Sequence, residues 1–333
     1  MKKTTFFTGN YYLNNKQFDV FDKNFNTNDC MYGFYMLREK FLENDIDLST
    51  QDINPIKDSE FIIYNDMPES KYIVPDNYLL LIESRIVYPE NWDLEKHKYF
   101  KKIFTWDDTL IDGKKYFKIN YSHKIPKTFD INISQKNKLC VMVNSNKYYK
   151  HPLELYSERI KAIRWFEKHH SEDFDLYGFG WDKAVFKGVL KRLNRFDKLA
   201  KVLAPRRSSF KFPAPASEVM SNYKFSICYE NGRDIPGYIT EKIFNSFFAG
   251  CVPVYFGAPN ITDYIPANTF IDKRNFKNYE ELYRYLKDMR DSEYIRYLDS
   301  IKNFVLSDKI YPFSAECFVE TLFKEIVEKF SEN

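Results

Sequence analysis

Glycine is scarce in this chain, 10 residues in 333. No G-x-G-x-x-G occurs, and the Gly178-Phe179-Gly180 string lacks a third glycine. There is no G-x-x-x-x-G-K-[ST] either, so the dinucleotide fingerprint and the phosphate loop of nucleotide hydrolases are both excluded. The five cysteines (30, 140, 228, 251 and 317) include no C-x-x-C pair, and three of them lie inside apolar runs. They read as reduced core residues, and this favours a cytoplasmic setting over a disulfide-built secreted one. No stretch approaches the ~18 consecutive apolar residues of a membrane span. The start, MKKTTFFTGNYYL, has its apolar run broken by polar residues and does not read as a signal peptide. The five histidines (97, 123, 151, 169 and 170) show no metal-ligand spacing. Two D-x-D strings, Asp45-Ile-Asp47 and Asp173-Phe-Asp175, read as chance: one follows a helix end and the other leads into a strand. Internal repeats, low-complexity tracts and RNA-binding signatures are also missing.

What is present is a globular composition, 44% hydrophobic and 29% charged, with aromatics at 18%. The length suits two domains rather than one core. The net charge of +3 conceals a strong asymmetry. Between Lys183 and Lys211 there are ten Lys and Arg against the single acid Asp197, so this segment carries +9 and the remainder −6.

Short apolar runs alternate with amphipathic stretches. A helix is expected from about Asp29, followed by strands in DSEFIIYND, YLLLIES and KKIFTWDD. A polar stretch, YSHKIPKTFDINISQKNK, reads as a linker. The second series runs KLCVMVNSN, the helix ELYSERIKAIRWFEKHH, the strands FDLYGFG and KFSICYEN, the helix TEKIFNSFFAG and the strand CVPVYFG. Gly250 stands where a helix-terminating glycine belongs. Two helices, around YEELYRYLKDM and AECFVETLFKEIVEKF, close the chain. Such alternation predicts two α/β domains with mostly parallel sheets. The expected division is 1–135, 136–309 with a basic amphipathic insertion at 183–211, and a C-terminal helix at 310–333.

Open α/β sheets bind ligands outside the carboxyl ends of their strands. Three polar groups follow strands here: Glu83 after YLLLI, Asn144 to Asn146 after VMV, and Glu230 with Asn231 after FSICY. The loop after Asn231 leads into a helix that begins Thr240-Glu241-Lys242. A lysine in the first turn opposes the helix dipole. It makes sense there if an anion such as a phosphate occupies that end; otherwise it is a solvated lysine.

The stretch YKFSICYEN…GYITEKIFNSFFAGCVPVYFGAPNITDYIPANTFI resembles the donor-binding signature of the α-1,3/4-fucosyltransferases, glycosyltransferase family 10. The shared pattern is a Y-K-F strand, E-N, the box Y-[IV]-T-E-K, then A-x-x-V-P-V. Further upstream, NSN, SERIKAI, FDLYGFG and LLLIES resemble weaker family features. The likeness covers the second domain strongly and the first thinly.

That resemblance implies the GT-B architecture, an α/β fold of two Rossmann-like domains facing a cleft. It also implies GDP-fucose as donor, a glycan acceptor and an inverting reaction that needs no metal or other cofactor. Residue by residue, it makes Lys242 and Arg159 the partners of the donor pyrophosphate. Glu241 would bind the donor's sugar hydroxyls, and Tyr238 and Asn231 would line the nucleotide pocket. Glu83 would be the general base for the acceptor hydroxyl. The family's proline after E-S is Arg85 here, which is in a position to pair with Glu83 and lower its pKa. Taken without the resemblance, Glu83 reads equally as a salt-bridge partner, Arg159 as a solvated helix residue and Tyr238 as a loop aromatic packed on the sheet.

The resemblance alone implies the expected acceptor, an N-acetylglucosamine in a surface polysaccharide or lipooligosaccharide, so a lipid-linked glycan is among the expected partners. In 183–211, apolar residues recur at near-helical spacing among the cations, which reads as a basic amphipathic helix pair. Such a pair suits an anionic membrane surface, an anionic glycan, or packing on the second domain. The expected location is cytoplasmic, peripheral on the inner face of the membrane, with no nucleic-acid partner. Two other readings stay open: a family member using another GDP-sugar, and a non-enzymatic membrane- or polyanion-binding protein.

Overall fold

Strands buried on both faces have no polar side to display, so they read as short continuous runs of Ile, Leu, Phe and Tyr. The strand Asn77–Leu81 is buried at all five positions. The computed structural model of the chain describes residues 1–23, 26–186, 188–205, 207–212 and 216–327, and leaves aside the side chains of 191, 217 and 218. The expected helix 310–333 and insertion 183–211 therefore lie partly outside the described residues.

The chain divides into two compact units. The first comprises 1–126, 235–241 and 307–333, and the second 127–234 and 242–306. The expected linker spans the first crossing, at 126/127. Two further groupings follow from long-range packing. Residues 235–241 group with the first unit, and the C-terminal helix Ala315–Ile326 returns to it.

In the first unit, β1 (Lys2–Phe7), β2 (Ile46–Thr50), β3 (Ile62–Asn65), β4 (Asn77–Leu81), β5 (Phe100–Thr105) and β6 (Tyr116–Lys118) form one sheet. Its order is β2-β1-β3-β4-β5-β6, with every described pairing parallel. The helix Tyr32–Leu42 and the C-terminal helix cover one face; Leu37, Phe41, Phe318 and Leu322 meet Phe6, Leu80 and Phe104 there. A shielded ion pair, Lys102 to Glu325 at 2.9 Å, pins the last helix to β5. Ser314 caps that helix by accepting the Cys317 N–H at 3.0 Å.

In the second unit, β7 (Lys138–Val143), β8 (Phe174–Tyr177), β9 (Tyr223–Tyr229), β10 (Val252–Phe256) and β11 (Ile271–Asp272) form a parallel sheet of order β11-β10-β9-β7-β8. Gly250 ends the helix Glu241–Phe248 with φ +62°, and its N–H reaches the Phe247 carbonyl at 2.8 Å. The D-x-D acids are held in ion pairs: Asp173 with Lys287 at 2.7 Å, and Asp175 with Lys138 and Lys211 at 2.8 and 2.9 Å.

Each sheet reverses its strand order once. The reversals fall between β1 and β3 in the first unit and between β7 and β9 in the second. Ligand crevices open at the carboxyl ends of such points; in the second unit Asn231 follows β9 beside its reversal, whereas in the first unit Glu83 follows β4, one strand beyond β3.

Candidate active site

At the carboxyl ends of the first sheet lies a cavity of about 880 Å³. Residues just past β1, β2, β3 and β4 line it: Thr8, Asp52, Asp66 and Glu83. Glu241, the first residue of its helix, lines it too. Two carboxylates remote in sequence, to which the family resemblance assigns acceptor and donor roles, thus open onto one space.

Glu83 is half-buried, and its backbone is fixed on both sides. Its N–H donates to the Asp66 carboxylate at 2.9 Å, and its carbonyl accepts from the Asn91 amide at 3.0 Å. Asp66 also accepts the Ile82 N–H at 2.8 Å and the Asn91 side chain at 2.7 Å. Burial pushes the Asp66 carboxyl above its ordinary pKa, and these three bonds oppose the shift. Asp66 stands at φ +66°, a left-handed conformation that a short polar side chain tolerates. Sequence reasoning passed over this residue. Its position directly after a strand, the same signal that marked Glu83, would have found it.

Arg85 does not pair with Glu83. Its guanidinium reaches the fully buried Asp107 at 2.5 Å and lies over the Trp92 ring, 4.6 Å from the centroid. The residue that replaces the family's proline is thus spent on holding the loop after β4. His123, which also lines the cavity, is 8% exposed, and burial pushes its imidazole down to about 4, with Glu241 opposing. It is neutral at pH 7.

Tyr238 belongs to the first unit, and its ring is 1% exposed. It packs 4.6 Å from Trp106 and 6.3 Å from Tyr121, which makes it an anchor for the 235–241 segment. Gly237 beside it has φ +77°, and a Cβ there would sit 2.3 Å from the Trp106 carbonyl oxygen. Only glycine lets the segment lie this close to the end of β5.

In the second unit, Arg159 and Asn231 come together. Arg159, on the helix Tyr156–His169 and 3% exposed, donates to the Tyr229 carbonyl at 2.6 Å and to Asn231 Oδ1 at 3.0 Å. The Leu155 N–H reaches the Asn231 carbonyl at 3.0 Å, so the start of this helix is tied to the end of β9. Lys242, in the first turn of its helix, meets a carboxylate of the protein itself. Its Nζ lies 3.5 Å from Glu230, whose side chain is fully buried. Glu230 thus offsets the unfavourable helix dipole at Lys242. Gly257 makes room for it, since a Cβ there would come within 2.5 Å of Glu230 Cγ.

Two parallel-sheet α/β units with polar groups gathered at their strand ends are the Rossmann-like units of the GT-B fold. The chain belongs to glycosyltransferase family 10 (fucosyltransferase), whose C-terminal model matches residues 133–317. It is 35% identical over 95 residues to the alpha-(1,3)-fucosyltransferase FucT of Helicobacter pylori, a match covering 28% of this chain and 18% of that protein. Against GDP-fucose protein O-fucosyltransferase 3 of Gallus gallus it is 41% identical over 85 residues, 25% of this chain and 18% of the relative. The matched segment thus spans less than a fifth of either relative. An α1,3-fucosyltransferase solved with GDP-fucose superposes with a TM-score of 0.57 at 15% identity, covering 100% of this chain and 90% of that one.

Proposed function

We propose that the protein transfers L-fucose from GDP-fucose to a glycan hydroxyl, forming an α-1,3 or α-1,4 link to N-acetylglucosamine with inversion at the anomeric carbon. One observation carries the reading: Glu83 and Glu241 line a single cavity at the carboxyl ends of the first sheet. Glu83 removes the proton of the attacking hydroxyl, and Glu241 holds hydroxyls of the fucose. An inverting displacement needs a base on the face opposite the leaving group. The leaving diphosphate is an anion. In this reading Lys242, Arg159 and the N–H groups opening the helix Glu241–Phe248 stabilise it, in a reaction that takes no metal. Asn231 orients Arg159. The buried ring of Tyr238 holds the segment that carries Glu241.

A thermal-shift comparison of GDP, UDP and CMP tests the donor. A nucleotide at 100 times its dissociation constant stabilises the fold that binds it by about 2.7 kcal/mol. A rise in Tm with GDP alone is expected, and no shift with GDP would end the reading.

The basic segment supports a second part of the proposal, peripheral contact with an anionic membrane on the cytoplasmic side, where a lipid-linked acceptor would lie. The expected helix pair takes a different form: a 3₁₀ run at Gly188–Arg195 and a short helix at Asp197–Val202. The short helix is tied back to the residues ahead of the 3₁₀ run by the Ala184 N–H on the Ala200 carbonyl at 2.7 Å and by Lys183 with Asp197 at 2.7 Å. Among the described residues, eight of the twenty exposed large hydrophobics fall between Phe179 and Phe212, with Val189 at 95% and Val202 at 81%. Cations interleave with them, and the sign of the segment opposes that of the rest of the chain. Apolar side chains that insert beside lysines that meet headgroups are what an anionic bilayer surface binds. No described helix is long and apolar enough to cross a membrane. The protein should sediment with phosphatidylcholine vesicles containing about a third phosphatidylglycerol, release in high salt, and ignore pure phosphatidylcholine. The pair Val189→Asp and Val202→Asp should abolish sedimentation. Binding unaffected by that pair, or binding to DNA without binding to vesicles, would overturn the contact.

A further inference from the structure

We infer that Trp106 and Tyr121 are positioning residues shared by the two cavity carboxylates: they hold the peptide that carries Glu83 and pack on the ring that anchors the Glu241 segment. The inference rests on the reading of Glu83 as the base and Glu241 as the sugar-binding carboxylate, and adds what sets one against the other.

The peptide joining Ile82 to Glu83 is held at both ends. Its N–H donates to the Asp66 carboxylate at 2.9 Å. Its carbonyl accepts the Trp106 indole N–H at 2.9 Å and the Tyr121 hydroxyl at 2.6 Å. Two donors engage both lone pairs of that oxygen. Burial raises the Tyr121 hydroxyl well above its ordinary pKa, so it stays a donor. A peptide unit is planar, so pinning its two ends fixes the whole plane. Asn91 holds the Glu83 carbonyl on the other side. The direction in which the Glu83 side chain leaves the backbone is therefore set by Trp106, Tyr121, Asp66 and Asn91 together.

Two of these four, Trp106 and Tyr121, also meet Tyr238, with ring centroids 4.6 and 6.3 Å away. Tyr238 stands three residues before Glu241. The chain at the end of β5 repeats the pattern residue by residue. The Trp106 carbonyl lies against Gly237, where a Cβ would sit 2.3 Å from it. Asp107 takes the Arg85 guanidinium of the Glu83 loop. The Asp108 N–H reaches the Pro236 carbonyl at 3.4 Å. One short stretch thus supports both the Glu83 loop and the 235–241 segment, all within the first unit. Trp106 and Tyr238 are each 1% exposed, and a close-packed interior transmits a shift of one ring to its neighbours. Groups that react together must be held to a fraction of an ångström by supports that are themselves locked in place.

The test uses the full chain, GDP-fucose and a disaccharide ending in N-acetylglucosamine, with Tyr121→Phe and Trp106→Phe made in the native and Glu83→Gln backgrounds. Tyr121→Phe removes one hydroxyl and keeps the ring on Tyr238. It should lower kcat about tenfold, less than the roughly 10²-fold of an ångström's misplacement, with KM for GDP-fucose and the GDP shift in Tm unchanged. Trp106→Phe also shrinks the ring on Tyr238, so it should lower kcat further and raise KM for GDP-fucose. In the Glu83→Gln background the kcat loss of Tyr121→Phe should vanish, because no base is left to misplace. The KM effect of Trp106→Phe should remain there, because it comes through Tyr238 and Glu241. Should Trp106→Phe not fold, Tyr121→Leu, which also takes a ring off Tyr238, replaces it with the same expectations. Native kcat in Tyr121→Phe, or a loss that persists undiminished in Glu83→Gln, overturns the inference and leaves the roles of Glu83 and Glu241 standing. So does a native KM for GDP-fucose in the ring variant. Native transfer by Glu83→Gln removes the base reading and this inference together, as does no transfer by the native chain while GDP still raises Tm.

Discussion

Glu83→Gln is expected to lose transfer by about 10²–10⁴-fold, the range a positioned general base supplies, while GDP still raises Tm as in the native protein. The substitution keeps the shape of the side chain. It does not touch the backbone bonds from Glu83 to Asp66 and Asn91 that fix the loop. Arg85 is engaged with Asp107 and Trp92, so neutralising Glu83 leaves that guanidinium in place. The loss should therefore fall on kcat rather than on folding or donor affinity. Initial rates of fucose transfer, measured beside the GDP shift on one preparation, check both halves. Glu241→Gln is the matched comparison, because that carboxylate lines the same cavity. In the proposed mechanism it contacts the donor sugar, so its loss should raise KM for GDP-fucose as well as lower kcat. If Glu83→Gln retained full transfer and Glu241→Gln abolished it without a change in KM, the two roles would be exchanged.

How much of this was legible beforehand depended on burial and on sequence distance. The strands read correctly, β3, β4, β5, β7, β8, β9 and β10, are the ones whose buried side chains are mainly apolar. The first two strands were not read. In KKTTFF and IDLST the buried positions include Thr4, Thr5, Ser49 and Thr50. The Thr4 and Thr5 hydroxyls are satisfied by partners far along the chain, as where Thr5 donates to the Asn54 carbonyl at 2.8 Å, while Ser49 and Thr50 donate to Asp47 and Asp52 two residues away. Hydropathy cannot reveal a polar residue whose partner lies tens of residues away. The helix Asp291–Val305 was missed as well, since its polar residues outweigh its apolar stripe. The return of the last helix to the first sheet depends on Phe318, Leu322 and Lys102, which no local pattern connects.

The site divides along the same line. Strand-end polar residues were readable because α/β topology sends ligands to strand ends. The partners of those residues were not. Nothing local shows that Glu230 would hold Lys242, that Arg85 would turn to Asp107, or that Tyr238 would be buried against Trp106 in the first unit. These contacts form across the fold, and they decide which charges are committed to the protein itself.

Lys242→Met should lower kcat/KM by about 10²–10³-fold, the usual loss when one stabiliser of a developing negative charge is removed. It should also destabilise the fold, for a reason unrelated to catalysis. Lys242 faces Glu230, a carboxylate with no exposed surface, and breaking a buried pair by removing one partner costs about 3–5 kcal/mol. At 3.5 Å the pair is loose, so the low end is expected. A rate loss in the single variant is therefore ambiguous, because a partly unfolded enzyme is also slow. The double variant Lys242→Met with Glu230→Gln separates the causes, since it also removes the buried charge that Lys242 faces and should recover most of the lost stability in urea unfolding. It should recover none of the rate, because the cation meeting the diphosphate is still missing. A double variant that regained both would reduce Lys242 to a structural counter-ion of Glu230. The proposed role survives if stability returns and transfer does not, with GDP producing a smaller shift in Tm than in the native chain.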